Sequence, residues 1–160
     1  PSNITYVPFD LEDEGVGAPL ARGGFLSGKV SVCVWEGVVS YLSEEAVDAT
    51  LRWFTSINAP GSRLVFTYID LSGFGSVSEA GEGLPWKNVL AKAGEPFRFG
   101  LETAAVPAFL EKRGLRLTWD VSTAEALAGR YPGRDLGSPA EFYRVALAEI
   151  PAATDEAAGG

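Results

Sequence analysis

The stretch from Val30 to Phe54, "VSVCVWEGVVSYLSEEAVDATLRWF", constrains the fold more tightly than any other part of the chain. From Lys29 to Trp35 it is a nearly continuous apolar run, the pattern of a strand buried on both faces. The run stops at Glu36 and Gly37, and an amphipathic helix follows. Ser43 is its expected N-cap, and Glu44 and Glu45 sit where the helix dipole favours negative charge. Val47, Leu51 and Phe54 recur at helical spacing, with Trp53 and Ile57 widening the stripe. "NAPG", Asn58 to Gly61, ends it. A carboxylate placed where a buried strand stops asks for a reason.

The rest of the chain repeats the alternation. Ile4 to Phe9 is bounded and β-rich, and Pro8 predicts a sheet edge for it. A short helix is expected near Pro19 to Arg22. "SRLVFTYIDL" reads as a second apolar strand. Residues 72 to 83 are rich in Gly and Ser and read as a mobile loop, followed by a short helix from Pro85 to Gly94. Glu102 to Gly114 is a further helix, in which Pro107 is tolerable only near the first turn and Gly114 suits the C′ position. "LRLTWDV" is a strand, and "STAE" from Ser122 to Glu125 matches a capping box opening a helix that ends before Pro132. Phe142 to Ile150 fits a strand or a helix, and we prefer a strand. The tail, 151–160, is expected to be disordered. Strands alternating with helices imply an α/β fold with a largely parallel sheet over residues 1–150. Ligands of such sheets sit beyond the carboxyl ends of the strands, where Asp10 and Glu36 fall.

Composition removes several functions. The net charge is −8 and the 13 Lys and Arg residues are scattered, which argues against nucleic acid as a partner. The chain has no His and one cysteine, Cys33, so a zinc or redox-metal centre is not expected and no intrachain disulfide can form. No apolar run is long enough for a membrane helix, and a soluble, cytoplasmic protein is expected. No GxGxxG follows a strand, and GxSxG and Walker loops are absent, against a different α/β nucleotide-binding enzyme such as a dehydrogenase or hydrolase.

Five blocks in order carry a resemblance: "ITYVPFDLEDE", "VCVWEGVVSYLSEEAVDATLRWF", "GSRLVFTYID", "GEPFRFGL" and "FLEKRGLRLTWDVS". From about Ile4 to Ile150 the chain resembles the later half of the leucine carboxyl methyltransferase-like family. These are S-adenosylmethionine-dependent O-methyltransferases that include polyketide carboxyl methyltransferases. The resemblance implies a Rossmann-like class I methyltransferase fold, present in part, with a mostly parallel seven-stranded sheet of order 3-2-1-4-5-7-6. It implies Asp10 accepting from the exocyclic amine of the adenine and Leu11 packing on the ring. It implies Glu36 beside the methionine part of the cofactor, with Trp35 and Gly37 shaping the wall. Arg98 and Phe99 fall where the family borders its substrate, a small-molecule methyl acceptor. No catalytic base is implied, because a carboxylate acceptor is already ionised at pH 7.

One departure is large. The glycine-rich loop and the first two strands of the family have no counterpart, and the chain opens at Pro1 with no Met. Without those strands, "ITYVPF" has no neighbour and one edge of "VSVCVW" is unpaired, which is costly for a buried strand. The missing N-terminal half, or a partner copy, is therefore expected to supply the pairing. The alternative is a degenerate fragment that keeps the fold's outline and acts as a structural or interaction module.

Overall fold

The computed structural model describes residues 3–12, 15–72, 97–135 and 141–152. The expected loop at 73–83, the helix at Pro85 to Gly94 and the tail beyond residue 152 lie outside the described residues. After a short helix α1 (Gly17–Arg22), β1 (Val32–Trp35) leads through a 3-10 turn (Val39–Tyr41) into α2 (Glu44–Ile57), and then β2 (Arg63–Ile69). A second 3-10 turn (Thr103–Ala105) opens α3 (Val106–Glu111), followed by β3 (Arg116–Ser122), α4 (Thr123–Arg130) and β4 (Tyr143–Glu149).

The local signals act as read. Ser43 Oγ accepts from the Ala46 amide and caps α2. Ser122 and Glu125 form a reciprocal capping box on α4. Pro107 sits in the first turn of α3, where a missing N–H costs no helical bond. Gly114 adopts φ +77°, the left-handed conformation a glycine tolerates after a helix end. The expected helix over Glu102 to Gly114 begins as the 3-10 turn, so its α-helical part is shorter.

The four strands lie in the order β1-β2-β4-β3. β1 and β2 are parallel, while β4 runs antiparallel to both β2 and β3. This is the 4-5-7-6 end of the order implied by the resemblance; among the four strands only β1 and β2 pair in parallel, and an isolated parallel bridge joins Asp70 to Leu101. The segment Ile4 to Phe9 is in no strand, correcting the expectation of an edge strand. β1 is the sheet edge on that side, and the segment makes no ladder with it.

One face of the sheet is covered. Leu64, Phe66 and Tyr68 of β2, Ala146 and Ala148 of β4, and Trp35 of β1 join the buried stripe of α2 and Val106 and Leu110 of α3 in one core. The other face is different. Val34 pairs with Val65, which pairs with Leu147, which pairs with Trp119, so these side chains share a face. On it Val32 is 68% exposed, Val34 66% and Trp119 47%. The reading of Lys29 to Trp35 as a strand buried on both faces is thus corrected: the strand is four residues long and buried on one face only.

Candidate functional site at the carboxyl end of the sheet

The loop after β1 is built around Gly37. Its φ of +72° turns the backbone so that its N–H points back and donates to Thr67 Oγ1 of β2, 2.8 Å away. A side chain at this position would be strained by the dihedral, which explains a glycine directly after the carboxylate. Thr67 Oγ1 also lies 3.0 Å from the hydroxyl of Tyr143, the first residue of β4. Glu36, the residue before Gly37, is exposed, with no hydrogen-bond or ion-pair partner among the described residues. Trp35 is buried in the core just before it.

Asp10 is exposed, and its Oδ1 accepts from the Glu12 amide at 2.8 Å, forming an Asx turn. Leu11 turns inward instead. It meets Trp35 at an apolar pocket of about 240 Å³ between this segment, β1 and α2, lined also by Phe9, Cys33, Trp53 and Phe54. Burial pushes the Cys33 thiol up, so it is a thiol and not a thiolate near neutral pH. Leu11 and Trp35 are therefore brought together, Glu36 and Gly37 stand at the end of the same strand, and Asp10 is held by its own turn.

Glu12, read from sequence as part of a solvated loop, is engaged. It accepts from the Ser43 amide and hydroxyl, both at 2.8 Å, and Arg98 Nη1 donates to it at 3.0 Å. The two Ser43 hydrogen bonds, with Arg98 adding to them, hold the Glu12 carboxyl below its ordinary range. Arg98 and Phe99 are fixed through their backbones, since both amides donate to Ser40 O of the 3-10 turn, at 2.7 and 3.2 Å. Phe99 packs on Phe109 with ring centroids 5.9 Å apart. Arg98 thus sits at the same end of the sheet as Glu36, paired to Glu12 across an exposed surface.

Asp70, at the carboxyl end of β2, was not singled out from the sequence. It is buried, and Ser72 N, Ser72 Oγ and Thr103 N all donate to its Oδ1, at 3.1, 2.7 and 3.3 Å. Burial raises its pKa, and the donated hydrogen bonds outweigh that and hold it below the usual carboxylate value. Through Thr103 it ties the chain after Phe99 onto β2. The rule that pointed to Asp10 and Glu36, an acid where an apolar strand stops, applies equally to "YID".

Residues 1–55 match the family model of leucine carboxyl methyltransferases. The match contains Asp10, Leu11, Trp35, Glu36 and Gly37. No curated protein matches the chain by sequence. Among solved structures, a putative methyltransferase from Thermobifida fusca YX superposes with a TM-score of 0.58 at 19% identity, over 90% of this chain and 53% of its own. A DUF574 family protein from Streptomyces avermitilis MA-4680 gives 0.51 at 18% identity, over 75% and 44%. The fold is α/β and Rossmann-like, a partial class I methyltransferase fold. The chain spans about half the length of these two structures.

Proposed function

We propose that this chain is the later half of an S-adenosylmethionine-dependent O-methyltransferase acting on the carboxyl group of a small molecule in the cytoplasm. The observation that carries the reading is the family match over residues 1–55, which takes in Asp10, the strand-end carboxylate Glu36 and the Leu11 and Trp35 walls of one apolar pocket. S-adenosylmethionine, when bound, supplies an electrophilic methyl group on its sulfonium. Asp10 is suited to accept from the adenine amine, with Leu11 against the ring. Glu36, unpartnered among the described residues, is suited to accept from the ammonium of the methionine part, with Trp35 and Gly37 forming the wall. In this reading the residues named hold the adenine and methionine ends of the cofactor, and no acid is assigned to its ribose hydroxyls.

Arg98 and Phe99 border the acceptor in this reading. Arg98 has a fork suited to a carboxylate, and exchanging Glu12 for the acceptor leaves Glu12 with both Ser43 donors. The acceptor is ionised at pH 7 and needs no base from the protein. What the chain contributes is alignment and the exclusion of water by its apolar walls. Nothing in this scheme uses a metal, nucleic acid or a membrane, and no helix among the described residues is long and apolar enough to cross one.

The open edge of β1 and the exposed Val32 and Val34 favour a second portion, either the missing N-terminal half or a partner copy, pairing there. The test is calorimetric titration of S-adenosylhomocysteine after intact masses of every chain in the sample are recorded. Micromolar binding, weakened at least about tenfold in Glu36→Ala and Asp10→Ala as expected for lost charged hydrogen bonds, supports the reading. A sample of this chain alone that folds as a stable monomer and binds nothing would instead support the alternative, a non-catalytic structural or interaction module.

A further inference from the structure

We infer that Thr67 and Tyr143 are positioning residues that set the conformation of the Glu36–Gly37 turn, and through it the place of the Glu36 carboxylate. The inference concerns the cofactor end of the site and rests on the reading just given. Its basis is a chain of two contacts across three strands. The Gly37 N–H donates to Thr67 Oγ1 at 2.8 Å, and Thr67 Oγ1 lies 3.0 Å from the Tyr143 hydroxyl.

Each part of the arrangement has a physical reason. Gly37 follows the last residues of an edge strand and has left the β1–β2 ladder, whose last pair is Trp35 with Phe66. Its amide therefore needs another acceptor, and a threonine side chain on the neighbouring strand is the one provided. Thr67 is buried, so its hydroxyl is held in one place, and the β-branch restricts its rotamer further. Thr67 pairs with Val145 and Ile69 with Tyr143, which makes Tyr143 the diagonal neighbour of Thr67, within reach of a long aromatic side chain. Because β4 is inserted antiparallel beside β2, its first residue lies at the sheet end where β1 stops. A residue late in the chain thereby supports a turn 106 positions earlier, from Gly37 to Tyr143.

Glu36 has no partner of its own among the described residues, so its backbone is what places it. That backbone is fixed on one side by buried Trp35 and on the other by the Gly37 hydrogen bond. Removing the Thr67 hydroxyl frees the second anchor. Removing the Tyr143 hydroxyl leaves Thr67 in place and loosens the orientation of its oxygen.

The experiment compares the full chain with Thr67→Val, Thr67→Ser, Tyr143→Phe and the Thr67→Val/Tyr143→Phe pair. Two quantities are read: hydrogen exchange of the Gly37 amide by NMR, and S-adenosylhomocysteine affinity by calorimetry. The expected result is exchange about tenfold faster in Thr67→Val and a few-fold faster in Tyr143→Phe, the size of one lost hydrogen bond and of a weakened one. The double variant should match Thr67→Val alone, since both substitutions act through one oxygen. Thr67→Ser restores slow exchange and affinity, which a role in packing alone would not produce. Gly37 exchange unchanged in Tyr143→Phe and Thr67→Val overturns the inference. If Thr67→Val fails to fold, the comparison of Tyr143→Phe with Thr67→Ser decides it alone. Failure of the unsubstituted chain to bind S-adenosylhomocysteine would count against the cofactor reading, whereas Gly37 exchange would still test the positioning pair.

Discussion

The two faces of the sheet are built from similar side chains, and at the β1 edge they meet opposite fates. Leu64, Phe66 and Tyr68 on one face are at most 4% exposed, while Val32 and Val34 on the other are about two-thirds exposed. Valine and isoleucine in a central strand are chosen for burial, so the difference lies in what stands over each face and not in the strand's own composition. On the covered side, α2 and α3 bring their apolar stripes to the strands. On the open side, no described helix does this for β1. An apolar strand thus states a demand for cover without saying where the cover comes from.

Substitution on the covered face should have the largest effect. Leu110 of α3 is fully buried against the sheet, and Leu110→Ala is expected to lower unfolding free energy by about 3–5 kcal/mol, measured by urea denaturation. Next comes the polar group embedded in the same layer. Asp120 of β3 accepts from Arg144 Nε at 2.9 Å and from the Tyr68 hydroxyl at 2.7 Å. Asp120→Asn leaves Arg144, only 16% exposed, without its counter-charge, and should cost about 2–3 kcal/mol. A loss under about 0.5 kcal/mol in either variant, the range of an ordinary surface change, would break the description of this face as the core.

The open face gives the sharper test. If Val34 meets only water, Val34→Ala should change stability by no more than about 0.5 kcal/mol. If a second portion pairs with β1 and lies over Val34, the same substitution should cost about 1–2 kcal/mol in the assembled sample and little in the chain alone. Denaturation of both samples, with their masses known, separates the two cases.

What could be read from sequence divides along the same lines. Ser43, the Ser122–Glu125 box, Pro107 and Gly114 act within four residues of themselves, and each was placed from pattern alone. Phe142 to Ile150 fits a strand or a helix by pattern, and the preferred strand is the one observed, β4. The strand order agrees with the resemblance. Missed were features whose partners are far apart in the chain. Glu12 finds Ser43 across 31 residues and Arg98 across 86, and Thr67 finds Tyr143 across 76. Nothing in a local window distinguishes Glu12 from a solvated acid, or Thr67 from any other threonine in a strand. The bare face of β1 was misread for the complementary reason, because alternation is lost whenever a strand is made to be covered on both sides.

The smallest expected effect concerns the clasp that keeps residues 3–12 on the covered side. With no ladder to hold it, this segment relies on Leu11 in the apolar pocket and on Glu12 at the start of α2. The Glu12 carboxyl is held below its ordinary value of 4.5 chiefly by the Ser43 amide and hydroxyl. On unfolding its pKa returns upward, so between the two values the unfolded chain binds more protons than the folded one. Stability from this group is therefore fully present above pH 4.5 and falls away as the pH drops through the lower, folded value. Asp48, Asp70 and Glu125 are shifted in the same direction, so the acid slope as a whole is shared. The difference between the native chain and Glu12→Gln isolates one carboxylate. Melting temperature followed from pH 7 to pH 3 should decline less steeply in Glu12→Gln, with the two curves converging at the acid end. Parallel curves would mean that Ser43 is capped equally well by a neutral amide, and that Leu11 alone keeps the segment against the sheet.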